Sequence, residues 1–208
     1  MTANCSASGP EGLDPGLFDY TPRFLAEPEA DRALERLWRE LEWSQREITL
    51  FGRRMLQPRL VAWYGDPAAR YTYSGLTLEP LPWHPLLRQL GARIEHFCGH
   101  RFNSVLANAY RDGRDSMGWH SDDEKELGCK PVIASLSLGA TRRFLLRPKR
   151  VEPGTRRVSR TLPLEHGSLL LMRGDSQRLF QHALPRSRQP MGLRINLTYR
   201  LVSAQAPV

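Results

Sequence analysis

The chain has 208 residues, 40% of them hydrophobic and 25% charged, with a net charge of +8. That length and balance can bury a real core in one domain, which excludes global disorder, collagen and small disulfide scaffolds. Three scattered cysteines, no bilayer-length apolar run and no signal-like start predict a reducing, non-membrane setting: the cytoplasm, or the nucleus of a eukaryote.

Residues 1–16 are rich in Ser, Gly and Pro and read as a flexible arm, with residues 17–208 as one domain. From Pro28 to Arg46, Leu34, Leu37, Trp38 and Leu41 recur at helical spacing among charges, which predicts an amphipathic helix. A second helix is predicted from Pro85 to Phe97, with Leu86, Leu87, Leu90 and Ile94 on one side. Strands are predicted at Leu60–Tyr64, Ser104–Tyr110, Val132–Leu138, Arg143–Arg147, Ser168–Met172 and Leu193–Val202. Two early helices and many later short strands predict an α+β, mainly β fold: a sandwich or jelly roll with helices on one face.

Charge is uneven along the chain. Between Arg142 and Arg160 eight basic residues stand against one acid, Glu152, so this segment carries most of the net charge. Such a cluster suits a polyanionic partner, although a solvated hairpin carries the same charges. Two predicted strands carry polar residues in alternation, and successive side chains in a strand point to opposite faces. In the last strand Arg194, Asn196, Thr198 and Arg200 share one face and Ile195, Leu197 and Tyr199 the other. The polar face is either the solvated side of an edge strand or a floor for a small dianion. In Ser104–Tyr110 the polar pair Asn108 and Tyr110 shares a face.

Just beyond comes Met117-Gly-Trp-His120-Ser-Asp122-Asp-Glu124. The spacing of His120 and Asp122 lets an imidazole and a carboxylate meet one cation on extended chain. A third ligand, with His166 and His182 both available, would complete a facial triad with open positions, the arrangement that suits non-haem Fe(II). A keto acid could chelate two of those positions and dioxygen take the last, while an arginine pairs with the keto acid's far carboxylate.

These residues resemble a known family. The order Asn108-Ala-Tyr110, His120-Ser-Asp122, His182 and Arg194-Ile-Asn196-Leu-Thr198-Tyr-Arg200 is similar to that of the AlkB family of Fe(II)/2-oxoglutarate dioxygenases, closest to the branch that repairs alkylated DNA. The resemblance runs from about Phe51 to Leu201 and implies a double-stranded β-helix, a form of jelly roll, with supporting N-terminal helices. It implies iron ligands at His120, Asp122 and His182, and an Arg194 paired with 2-oxoglutarate. Further co-substrate contacts fall on Asn108, Tyr110, Asn196, Thr198 and Arg200. A nucleotide-recognition lid at about 48–80 would place Phe51, Gly52 and Arg53 as a duplex probe, and Tyr71, Thr72 and Tyr73 against a flipped base. Asp123 matches a base-contacting acid.

The implied cofactor is Fe(II), with 2-oxoglutarate and dioxygen as co-substrates. The implied reaction removes the methyl group of 1-methyladenine or 3-methylcytosine in DNA as formaldehyde while 2-oxoglutarate becomes succinate. A methyl on the pairing edge leaves a cationic, unpaired base that is cheap to flip and attractive to aromatic rings. The expected partner is alkylated DNA, with RNA an alternative; no membrane partner is expected, and the chain reads as a monomer. The same iron centre could instead serve RNA or a protein side chain. A non-catalytic nucleic-acid-binding module would need no iron.

Overall fold

A computed structural model describes residues 13–203 apart from Phe51, Gly52, Ser74, Gly75 and Pro153; for residues 48–50, 53, 71–73 and 76–78 it describes the backbone alone. The proposed arm thus lies mostly outside the described residues, and Leu13 and Leu17 already pack against buried side chains.

The first strand, β1, spans Phe18–Thr21 and is followed by helix α1 over Glu27–Glu40. Pro28 and the acids Glu27 and Glu29 suit the first turn of α1, and Ala30, Ala33 and Leu37 form its buried stripe. The helix stops at Glu40, short of the Arg46 that periodicity predicts. Leu41 is already extended, and Ser44 exchanges both backbone hydrogen bonds with Val61, so residues 41–46 are drawn into pairing beside the next strands. Two short hairpins follow, β2 (Glu47–Leu50) with β3 (Arg53–Leu56) and β5 (Tyr71–Tyr73) with β6 (Leu76–Leu78); β4 (Leu60–Gly65) lies between them.

Helix α2 runs from Pro85 to Cys98. His84 Nδ1 accepts from Leu86 N–H at its start, and Gly99 ends it at φ 68°, a left-handed conformation open to glycine. The remaining strands are β7 (Ser104–Tyr110), β8 (Met117–His120), β9 (Ile133–Gly139), β10 (Arg142–Pro148), β11 (Arg160–Leu164), β12 (Leu169–Met172), β13 (Phe180–Leu184) and β14 (Arg194–Arg200), with the short helix α3 (Ser176–Leu179) before β13.

The strands form two principal antiparallel sheets. One has six strands in the order β1-β12-β9-β14-β7-β4, the other four in the order β11-β10-β13-β8. Neighbours in space are distant in sequence, as in a jelly roll. One apolar cluster joins α1 and α2 to the outer face of the six-stranded sheet, through Leu37, Leu87, Ile94, Leu136, Leu197 and Tyr199. Tyr199 seals this layer: its hydroxyl donates to Leu87 O at 2.8 Å. A second cluster fills one end of the space between the sheets, through Phe18, Ile133, Phe144, Leu162 and Met172. Among the described residues no helix is long and apolar enough to cross a membrane.

The place of β14 decides one question that alternation leaves open. It is not an edge strand but lies between β9 and β7 in the middle of the larger sheet. Its apolar face meets the helices and its polar face the space between the sheets, so both are buried.

Candidate active site

His120 and His182 are brought together by strand pairing. They are register partners across β8 and β13, with ring centroids 4.1 Å apart. Asp122 follows two residues after His120, and one potential ligand atom from each of the three lies within 4.8 Å of the others. His166, the other candidate third ligand, is committed elsewhere: its Nδ1 accepts from Gly139 N–H at 2.7 Å, and its Nε2 lies 3.2 Å from Asp31.

Each member of the triad is held from outside. His120 Nδ1 sits 2.9 Å from Gly118 O, a carbonyl that can only accept its N–H, which leaves the Nε2 lone pair free for a metal. His182, with 5% of its surface exposed, stacks on Phe144 at 5.2 Å. Burial, joined by the repulsion of nearby His120, pushes its pKa down to about 3, so the ring is neutral with its lone pair available. Asp122 donates its backbone N–H to Gln177 Oε1 at 3.0 Å, and its Oδ1 accepts from Arg200 Nη2 at 2.9 Å. Burial alone would raise the Asp122 pKa, but Arg200 and the two histidines outweigh it and hold the carboxyl below its ordinary value.

The triad lines a cavity of about 390 Å³ between the two sheets. Asn108, Tyr110, Arg194, Asn196, Thr198 and Arg200 line it too, so the polar alternation of β7 and β14 converges on one wall. The two strands are in direct register, with Asn196 opposite Asn108 and Arg194 opposite Tyr110. Arg194 is 2% exposed; its Nη2 donates to Ser137 Oγ at 2.9 Å while its Nε has no partner. Burial draws its pKa down to about 10, still a cation at neutral pH. Arg200 Nε is likewise buried without a partner. Asn196 donates to Ser135 Oγ and Leu136 O, and Thr198 Oγ donates to Asn196 Oδ1. Buried donors left open beside a cationic floor await an acceptor, and a dicarboxylate supplies what they lack. Two imidazoles and a carboxylate beside that floor likewise match an Fe(II) facial triad.

At the β2–β3 hairpin the cavity is bordered by Arg46, Glu47 and Gln57. Phe51 and Gly52 lie outside the described residues. Arg53 falls on β3, and Tyr71, Thr72 and Tyr73 form β5; only their backbone is described. Asp123 is exposed, and Lys149 Nζ donates to its Oδ2 at 2.6 Å. Its neighbour Glu124 lines the cavity, with Oε2 buried and unpartnered.

Several interactions escaped reasoning from motifs. Arg59, nearly buried, donates through Nε to Asn108 Oδ1 at 2.9 Å. Gln177, Ser135 and Ser137 brace cavity residues from positions whose spacing carries no signal. The basic segment also divides: Arg142 is buried, Arg147 lies 4.0 Å over the Trp119 ring, and Arg143, Arg150, Arg156, Arg157 and Arg160 are exposed. Arg142 therefore leaves the predicted polyanion surface, because its guanidinium is consumed by backbone carbonyls.

Comparison with known proteins agrees with this site. Residues 18–200 match the family model described as the 2OG-Fe(II) oxygenase superfamily. The human alpha-ketoglutarate-dependent dioxygenase alkB homolog 3 is 48% identical over 188 residues, covering 87% of this chain and 64% of its own, so the chain spans just under two thirds of that relative. The human DNA oxidative demethylase ALKBH2 is 41% identical over 198 residues, covering 92% of this chain and 74% of its own. The solved structure of OsALKBH1 superposes with a TM-score of 0.60 at 20% identity, over 90% of this chain and 99% of that one, a likeness of fold. The chain belongs to the AlkB family of Fe(II)/2-oxoglutarate-dependent dioxygenases. Its cofactor is Fe(II), and its co-substrates are 2-oxoglutarate and dioxygen.

Proposed function

We propose that this chain removes alkyl groups from the pairing edge of nucleobases in DNA, 1-methyladenine and 3-methylcytosine above all, by oxidation coupled to decarboxylation of 2-oxoglutarate to succinate. The observation that carries the reading is the 41% identity, over 92% of this chain, to a protein named as a DNA oxidative demethylase.

The site supports it chemically. Iron, 2-oxoglutarate and dioxygen together supply oxidation of a C–H bond on the N-linked alkyl group, after which the hydroxymethyl group leaves as formaldehyde. His120, Asp122 and His182 would hold the metal, and Gln177 and Arg200 keep Asp122 turned toward the other two ligands. Arg194 binds the far carboxylate of 2-oxoglutarate through its open Nε, while Ser137 fixes the guanidinium from behind. Asn108, Tyr110, Asn196, Thr198 and Arg200 complete the co-substrate pocket, with Arg59 orienting Asn108.

The base enters from the lid side, where Phe51, Gly52 and Arg53 probe the duplex and Tyr71, Thr72 and Tyr73 receive the flipped base. Asp123 and Glu124 supply negative charge for a cationic base. Of these two, Glu124 lines the cavity, while Asp123 must first release Lys149. The exposed arginines between Arg143 and Arg160 grip the phosphates.

The test is formaldehyde release from an oligonucleotide carrying one 1-methyladenine, with Fe(II), 2-oxoglutarate and ascorbate, beside an unmethylated control. Release that requires both iron and 2-oxoglutarate is the expected result. Succinate formed without formaldehyde on methylated DNA would point to another substrate, with methylated RNA the next arm.

A further inference from the structure

We infer that Arg142 is a positioning residue of the co-substrate site, holding Tyr110 and two loops, one leading into β8 and one leaving β13, the strands that carry the histidines. The inference rests on the reading that 2-oxoglutarate lies against Arg194 and Tyr110.

Arg142 is 2% exposed, yet no carboxylate pairs with it among the described residues. A buried cation is expensive unless its donors are filled. Here carbonyls fill them: Nη1 donates to Asp112 O at 3.1 Å, and Nη2 donates to Asp115 O and Pro185 O, each at 2.8 Å. Asp112 and Asp115 lie in the loop between β7 and β8, which begins after Tyr110 and leads to His120. Pro185 directly follows β13, which carries His182. One guanidinium therefore ties together the loops at the far ends of both histidine strands.

The same two loops touch again at Gly113. Ser187 N–H donates to Gly113 O at 2.7 Å, and a Cβ on Gly113 would stand 2.8 Å from Ser187 O. The brace thus has two parts, a guanidinium on three carbonyls and a close backbone approach at Gly113.

The link to the co-substrate runs through Tyr110. Its ring is flanked by two guanidiniums, with Arg142 Cζ 5.7 Å and Arg194 Cζ 5.4 Å from its centroid. Arg142 thus joins the two loops to the side chain that stands beside Arg194. Lysine cannot replace this arrangement, because a single ammonium lacks the planar fork that reaches separate carbonyls while its face lies on a ring.

The test uses Fe(II)-loaded protein without oxygen and reads 2-oxoglutarate binding from the charge-transfer absorbance of the metal–keto-acid complex. Arg142→Lys and Arg142→Gln should retain iron and weaken 2-oxoglutarate binding by about tenfold. Arg32→Gln, at an exposed arginine of α1, should bind as the parent chain does. A lower Tm with unchanged 2-oxoglutarate affinity in the Arg142 variants would reduce Arg142 to a fold-stabilising residue and overturn the inference. Should neither variant be soluble, Gly113→Ala carries the reading from the other side of the brace: weaker 2-oxoglutarate binding supports it, and parental affinity overturns it. The titration contains no nucleic acid, so its outcome is independent of whether base demethylation holds.

Discussion

His182 on β13 faces His120 on β8 as its direct register partner, with ring centroids 4.1 Å apart. Sixty-one residues of chain separate the two histidines, and the pairing of their strands brings together two of the three candidate ligands. Because backbone ladders set this spacing, the site is preorganised before any metal arrives. Loss of His182 should therefore remove a ligand without dismantling the sheets. His182→Ala should lose Fe(II) binding and turnover and keep the far-UV spectrum and DNA affinity of the parent. Metal analysis after gel filtration and a fluorescence anisotropy titration check this; equal collapse of DNA binding would argue against a purely metal-holding role.

Arg194 offers the open cationic donor in the cavity floor. Removing it should strip the partner from a carboxylate at a cost of about 1.5–3 kcal/mol, a rise of roughly 10- to 150-fold in the KM for 2-oxoglutarate. Arg194→Ala, assayed by succinate formation across a wide range of 2-oxoglutarate, gives the answer. A KM within twofold of the parent would separate Arg194 from the co-substrate.

Gln177 accepts the backbone N–H of Asp122 at 3.0 Å from a fully buried position. Residues that orient metal ligands typically contribute 10- to 100-fold in affinity or activity. Gln177→Leu keeps the volume and removes the acceptor. Its Fe(II) affinity, measured by competition with a chelator, should fall within that range, and 2-oxoglutarate affinity at saturating iron should change less.

The exposed pair Arg156 and Arg157 lies in the connection between β10 and β11. If both neutralise phosphates, replacing them with serine should weaken DNA binding and reduce the slope of log K against log salt by about 0.9 for each phosphate no longer neutralised. A binding titration at several salt concentrations separates this from a general loss of fold. An unchanged slope removes that connection from the interface.

Gly139 closes β9 at φ 85°, and a Cβ there would lie 2.2 Å from Leu193 O, a backbone atom that cannot swing aside. The backbone conformation and the collision both oppose Gly139→Ala, which should destabilise the fold by at least about 1–3 kcal/mol. The effect should reach the cavity, since Gly139 pairs with Arg194 across the ladder. Thermal unfolding with and without 2-oxoglutarate measures both effects; a parental Tm would show that β9 and the Leu193 loop yield more easily than their packing suggests.

The period of two in residues 194–200 is enough to divide Arg194, Asn196, Thr198 and Arg200 from Ile195, Leu197 and Tyr199, because a strand's pleat is a local property. The β7 strand, the two helix starts and the His120–Asp122 pair were legible for the same reason. Local order says nothing about what lies opposite. Whether the polar face of β14 met water or a cavity depended on its place between β9 and β7. Whether His166 or His182 joined the triad depended on which strand paired with β8. Arg142 counts among surface charges when read along the chain, but lies buried on three carbonyls because distant loops converge there. Composition and short-range periodicity thus specified the elements and the chemistry on each face. Long-range antiparallel pairing decided which faces met, because hydrogen bonds between remote strands, and the burial they enforce, are written in no single segment.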